Sequence, residues 1–93
     1  MAVGVCRIEL FLHGNSSLKG KRQILKSIKD RVKNNFNVSI AELNNKDKWQ
    51  IAEIGVAAIS DDKGYLNSIL NKVTDFVGKM HIAEILNYTI EIY

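Results

Sequence analysis

The chain has no proline, one cysteine and one tryptophan among its 93 residues. The lack of proline leaves every backbone N–H available to a strand ladder, as central β-strands require. A single cysteine, Cys6, excludes an internal disulfide framework and a thiolate metal cluster. No run of about 18 apolar residues is present, so no membrane span is predicted. Residues 1–12 also lack the basic region and cleavage site of a signal peptide. We therefore expect a cytoplasmic protein without a membrane partner.

Residues suited to catalysis or metal binding are equally scarce. His13 and His81 stand at the ends of predicted elements, and in the expected topology they lie far apart. Cys6 falls in the apolar row of a strand, which is typical of a small core residue. No metal-ligand spacing and no glycine-rich phosphate loop is present. We therefore expect no catalytic residue, no metal site, no cofactor and no enzymatic activity.

Two kinds of hydrophobic periodicity alternate along the chain. Period-two alternation predicts strands, and apolar residues three and four apart predict helices that begin near Ser16 or Ser17 and near Ser60 or Asp61. The predicted strands cover residues 2–12, 36–43, 49–59 and 84–93. The order β-α-β-β-α-β predicts one α+β domain over residues 1–93 with a ferredoxin-like fold. In that fold a four-stranded antiparallel sheet of order 4-1-3-2 is covered on one face by two helices.

Positive charge is concentrated in one element. Residues 15–36 hold seven Lys and Arg against Asp30 alone, a net +6, whereas the rest of the chain has six basic and nine acidic residues, a net −3. At about 100° per residue, one row of basic side chains falls within an arc of roughly 80° along the first helix. The members of this row are Lys19, Arg22, Lys26, Lys29 and Lys33. Such a row suits sequence-tolerant contacts to RNA phosphates. A solvated face that serves only solubility is the alternative.

The start of this helix is a second candidate for anion binding. Lys21 has the phase of the apolar stripe, and we expect its stem to cover the core while its ammonium reaches outward at the edge. Free N–H groups at a helix N-terminus favour a bound phosphate. The predicted site consists of Ser16, Ser17, Lys19, Lys21 and Arg22. A helix start with tolerated lysines explains the same residues, and a small-ligand or enzyme site at Ser17 is a third, weaker hypothesis.

The sheet face away from the helices is predicted to be too apolar for a free surface. RNA-recognition motifs use central aromatic residues on this face, but here Glu9 and Glu53 occupy the two middle strands and would repel phosphate. Self-association is the better interpretation, with Arg7 pairing with acidic residues. The predicted interface consists of Arg7, Glu9, Phe11, Trp49, Ile51 and Glu53. A partly exposed face on a monomer is the alternative.

Three short segments resemble the YlxP-like family of bacterial proteins, which has no established function. They are SLKGKR at 17–22, FNVSIAE at 36–42 and DKWQ at 47–50. The resemblance extends over the whole chain and implies a ferredoxin-like domain. Family genes tend to lie beside those of translation initiation and ribosome maturation factors, which implies RNA or the ribosome as a partner by association. The family usually has Glu where Gly20 stands and often His where Asn45 stands.

Two hypotheses therefore lead. The first is a non-enzymatic domain that binds RNA or a ribosomal surface through the first helix. The second is a homodimeric protein-interaction module that uses the open sheet face.

Overall fold

The elements follow one another in the predicted order. The computed structural model describes residues 1–93. Its six elements are β1 (Ala2–Phe11), α1 (Leu18–Asn35), β2 (Ser39–Glu42), β3 (Ile51–Ser60), α2 (Lys63–Lys79) and β4 (Glu84–Ile92). No helix combines the length and the apolar character needed to cross a bilayer.

The four strands form one antiparallel sheet of order β2-β3-β1-β4. This is the predicted order read from the other edge, so the topology is confirmed. β1 and β3 are central, and the register places Glu9 directly opposite Glu53. Between Glu9 and Leu10 the pairing with β4 shifts by one residue, because β4 carries a bulge there.

Alternation along β1 decides which face is buried. Cys6, Ile8 and Leu10 are fully buried, whereas Arg7 and Glu9 between them are exposed. The buried row joins one cluster with residues from both helices, so both helices lie on the same face of the sheet. The helical members of that cluster are Leu25, Ile28, Val32, Ile69, Leu70, Val73 and Val77. Each large apolar side chain buried in this way contributes about 1.5–3 kcal/mol.

Three predicted boundaries are wrong by a few residues. β2 begins at Ser39 and not at 36, because Phe36 serves as the C-cap of α1. Its ring instead packs edge-on against Phe76 at a centroid distance of 5.4 Å. β3 begins at Ile51 and not at 49. The N-cap of α2 is Asp62, whose carboxylate accepts a hydrogen bond from the N–H of Tyr65 at 3.2 Å.

Candidate nucleic-acid interface

The predicted basic row lies on the outer side of α1. Lys19, Arg22 and Lys33 are exposed, and Lys29 is half-buried. None of these four has a carboxylate within 4.0 Å; the single ion pair of the row joins Lys26 Nζ to Asp30 Oδ2 at 2.7 Å. The row is therefore largely unneutralised, as the sequence predicts.

Asp30 is the only acidic residue of α1. The hydrogen bond from Lys26 holds the pKa of the Asp30 carboxyl below its ordinary value, and the charges of Lys33 and Lys29 act in the same direction. The same hydrogen bond raises the pKa of Lys26. Asp30 is thus ionised at neutral pH and offsets one charge of the row. Arg31 adds an exposed, unpaired guanidinium on the opposite flank of the helix. It lies outside the arc of the predicted basic row and was therefore not among the predicted site residues.

Ser17, one of the two predicted candidates, is the N-cap of α1. Its hydroxyl accepts a hydrogen bond from the N–H of Gly20 at 3.0 Å. The Asn15 side chain lies over the same turn and donates to the Ser17 carbonyl at 2.9 Å. Its Oδ1 occupies the space that a Cβ on Gly20 would need. Glycine at this position therefore accommodates Asn15.

Lys21 does not reach outward, and this part of the predicted anion site is wrong. Only 2% of the residue is exposed. Its ammonium donates to three backbone carbonyls, those of Asn45 at 2.6 Å and of Lys48 and Ile51 at 2.8 Å each. An ammonium has three N–H bonds, so none remains for an external anion. The physical reason is that Lys21 lies on the apolar, inward-facing side of α1, where these carbonyls accept the hydrogen bonds of its ammonium.

Glu42 completes the surroundings of this buried lysine. Its Oε2 lies 3.3 Å from Lys21 Nζ and makes no hydrogen bond of its own. All three ammonium protons are taken by carbonyls, so Glu42 acts through its charge. The pair is buried on the lysine side and partly exposed on the carboxylate side. Lys21 is therefore a structural residue that ties α1 to the segment between β2 and β3.

That segment, the β2–β3 loop (residues 43–50), is held at several points. Besides the three bonds from Lys21, Asn15 donates to the Trp49 carbonyl at 2.5 Å. Asn45 has a φ of 61°, in the left-handed region. Asn, Asp and His are the non-glycine residues most often found there. The left-handed backbone at this position therefore suits Asn45 without the strain that most other residues would meet there.

The Trp49 side chain is left largely in solvent. It is 54% exposed and lies in the β2–β3 loop, so its predicted place in the third strand is wrong. It borders an open hollow of about 510 Å³ at the start of α1. The hollow is lined by Asn15, Ser16, Asp47, Lys48, Trp49, Gln50 and Ile51. Ser16 thus belongs with Trp49, whereas Ser17 is used by the helix itself.

The centre of the open sheet face is polar. A shallow hollow there is lined by Arg7, Glu9, Glu53, Asn87 and Thr89. Arg7 has no carboxylate within 4.0 Å, so it makes no ion pair inside the chain. Glu53 accepts a hydrogen bond from Asn44 Nδ2 at 2.6 Å. Of the predicted interface, Phe11 and Ile51 pair across the end of β1 and β3 and are half-buried.

His13 and His81 are not far apart, contrary to the prediction. Both line one hollow of about 450 Å³, because the end of β1 meets the start of β4 and the turn after α2. His13 Nε2 lies 2.6 Å from Glu84 Oε1, and its ring packs against Phe11. No group of three or more His, Cys, Asp or Glu side chains is placed to hold a metal ion.

Comparison with known proteins agrees with the fold and the motifs. Residues 3–90 match the family described as "Protein of unknown function (DUF503)". The chain is 39% identical over 75 residues to "Uncharacterized protein YlxP" of Bacillus subtilis (strain 168), which covers 81% of this chain and 82% of the relative.

Solved structures align with this chain at low sequence identity. Protein YJCS aligns with a TM-score of 0.51 at 12% identity and covers 96% of each chain. The de novo designed protein Foldit4 aligns with a TM-score of 0.48 at 17% identity, over 99% of this chain and 92% of the designed one. The likeness to YJCS concerns the fold alone. The family match and the YlxP relative together establish that this chain belongs to the DUF503 family, the YlxP-like family that its three motifs resemble.

Proposed function

We propose that the protein is a non-enzymatic domain that binds RNA, free or within the ribosome, through the basic face of α1. The observation that carries the proposal is the charge of that face. Lys19, Arg22 and Lys33 are exposed and have no carboxylate partner. Long, unpaired cations along one helix suit phosphates that follow one another along a strand. A cytoplasmic location is part of the proposal, since RNA and ribosomes are available there.

Charge reversal on α1 tests the proposal directly. The variant Lys19→Glu, Arg22→Glu, Lys33→Glu removes three unpaired cations and leaves the Lys26–Asp30 pair in place. We expect it to lose retention on immobilised RNA at low salt while its melting temperature stays within a few degrees of wild type. The slope of log affinity against log salt is negative, and each lost phosphate contact should reduce its magnitude by about 0.7–0.9.

A matched control separates local charge from net charge. Lys63→Glu, Lys72→Glu, Lys79→Glu makes the same change on exposed residues of α2. Either triple variant takes the formal net charge from +3 to −3, since three basic residues become acidic. The control should keep most of its RNA retention. Equal retention by both variants would mean that α1 is only a solvated face.

A homodimeric interaction module is the second candidate, favoured by the unpaired Arg7 on the open sheet face. Arg7 and Glu9 stand side by side without an intramolecular ion pair, so two copies packed in opposite directions could pair them across the contact. Sedimentation equilibrium of the wild type should then show a dimer that Arg7→Glu dissociates and that Arg7→Glu with Glu9→Arg restores. A monomer at high protein concentration would exclude it.

A further inference from the structure

We propose that Trp49 is a stacking platform for an unpaired RNA base beside the basic start of α1. This inference rests on the proposed function and narrows its partner to RNA with unpaired bases. It starts from the β2–β3 loop, which the charge pattern of α1 does not involve. Trp49 is the only tryptophan of the chain and keeps 54% of its surface exposed.

The backbone that carries this indole is fixed on both sides. The carbonyl before it, that of Lys48, and a carbonyl after it, that of Ile51, accept hydrogen bonds from the buried Lys21. Its own carbonyl accepts one from Asn15. The Gln50 carbonyl accepts one from the N–H of Leu12 at 2.8 Å, so hydrogen bonds at four consecutive residues hold the platform in place before a ligand arrives. Less conformational entropy is then lost when a base stacks on it.

The surroundings of Trp49 match the parts of a nucleotide. An open hollow beside the ring offers the Ser16 hydroxyl and the Gln50 side chain, which can hydrogen-bond a base edge or a ribose. Exposed Lys46 and Lys48 belong to the same loop, and Asp47 between them leaves it a net charge of +1. An aromatic face beside cations is the arrangement by which proteins bind single strands with little sequence preference.

The position of the loop connects the platform to α1. Lys21 lies in the first turn of α1 between the exposed Lys19 and Arg22, and its ammonium holds the loop against that turn. A strand whose base stacks on Trp49 therefore has its neighbouring phosphates close to the start of the basic row. A base-paired helix keeps its bases stacked inside, so it could use the row but not the indole.

Intrinsic fluorescence tests the inference, because every tryptophan signal comes from Trp49. The probes are a short oligoadenylate, the same strand annealed to its complement, and inorganic polyphosphate. Binding is followed independently by anisotropy of labelled probes or by competition against them. We expect the single strand to quench the fluorescence at saturation, and the duplex and polyphosphate to bind with little quenching.

Variants at Trp49 measure how much stacking contributes to the affinity for oligoadenylate. Stacking contributes about 1–3 kcal/mol per base, so Trp49→Ala should weaken oligoadenylate binding by about 5- to 150-fold. Polyphosphate binding should be unchanged by Trp49→Ala, and Trp49→Phe should retain most of the affinity for oligoadenylate. The wild-type quenching measurement requires no variant and decides the matter even if Trp49→Ala unfolds.

The outcomes distinguish this inference from the proposed function. Binding of oligoadenylate without quenching, and without loss in Trp49→Ala, would overturn the platform and leave RNA binding by α1 intact. Failure of all three probes to bind at low salt would overturn both.

Discussion

Replacement of Lys21 by methionine should destabilise the protein far more than any other lysine substitution. Methionine retains most of the apolar stem, so the change removes mainly the ammonium. Three carbonyls, at 2.6–2.8 Å from Nζ in the wild type, then lose their donor. Glu42 Oε2, which is buried and already lacks a hydrogen bond, also loses the cation 3.3 Å away.

The magnitude follows from the second of these losses. Removal of one member of a buried ion pair costs about 3–5 kcal/mol, because the remaining charge is left uncompensated. The partial exposure of Glu42 and the second lone pair of each carbonyl favour the lower end. A domain of this size has about 5–15 kcal/mol of total stability. A loss of about 3 kcal/mol would lower its melting temperature by roughly 12–24 °C.

Urea unfolding followed by far-UV circular dichroism measures this loss, with Lys19→Met as the matched control on the exposed side of the same helix. The control should stay within about 0.5 kcal/mol of wild type. Adding Glu42→Gln to Lys21→Met should recover part of the loss, because no buried charge then remains. If Lys21→Met costs less than about 1 kcal/mol, the argument that the ammonium holds the loop is refuted.

Three further predictions concern the core and the start of α1. Burial raises the pKa of the Cys6 thiol above 9.0, so the folded state disfavours the thiolate. The contribution of the protonated thiol to the free energy of unfolding is fully present below pH 9 and is lost as the pH rises through the folded pKa. Urea midpoints from pH 8 to 10.5 should fall more steeply in wild type than in Cys6→Ala, because the raised pKa of Tyr93 adds a fall near pH 10 that both proteins share. Ser17→Ala should cost about 1 kcal/mol in urea unfolding, because the N-cap bond to Gly20 is lost. Gly20→Ala should stabilise by up to about 1 kcal/mol only in an Asn15→Ala background, since Asn15 occupies the space of the new methyl group; equal effects in both backgrounds would contradict this coupling.

Local pattern was sufficient for the architecture. The strict alternation of Cys6, Ile8 and Leu10 with polar neighbours predicts both the strand and its buried face, because the period of a strand is independent of its partners. The antiparallel order follows from the number and sequence of elements. Element ends were less accurate, because Phe36 completes a helix cap and a core contact, although its β-forming side chain favours a strand.

The candidate site was predictable only where the position of a side chain depends on its own helix and not on contacts with other segments. The outward placement of the α1 row needs nothing beyond helical geometry, and four of its five members are exposed. The role of Lys21 depends on the main-chain oxygens of Asn45, Lys48 and Ile51, which are distant in the sequence. Residue types do not indicate which main-chain oxygens will accept a hydrogen bond from a lysine. The prediction that Trp49 begins the third strand was wrong for a related reason. Its apolar side chain continues the strand pattern, but hydrogen bonds from Lys21 and Asn15 hold its backbone in a loop. The proximity of His13 and His81 likewise depends on how β1 and β4 meet.

The tie between Lys21 and the β2–β3 loop uses main-chain oxygens on the loop side. Such a contact does not depend on the side chains of Lys48 and Ile51, whereas the left-handed φ of Asn45 restricts the residue type at that position. Substitutions at the loop surface can therefore accumulate without loosening the hairpin, whereas an inserted or deleted residue between Asn45 and Ile51 would move an acceptor out of reach. Apart from Asn45, the loop is consequently free to vary in side-chain chemistry while its length is constrained.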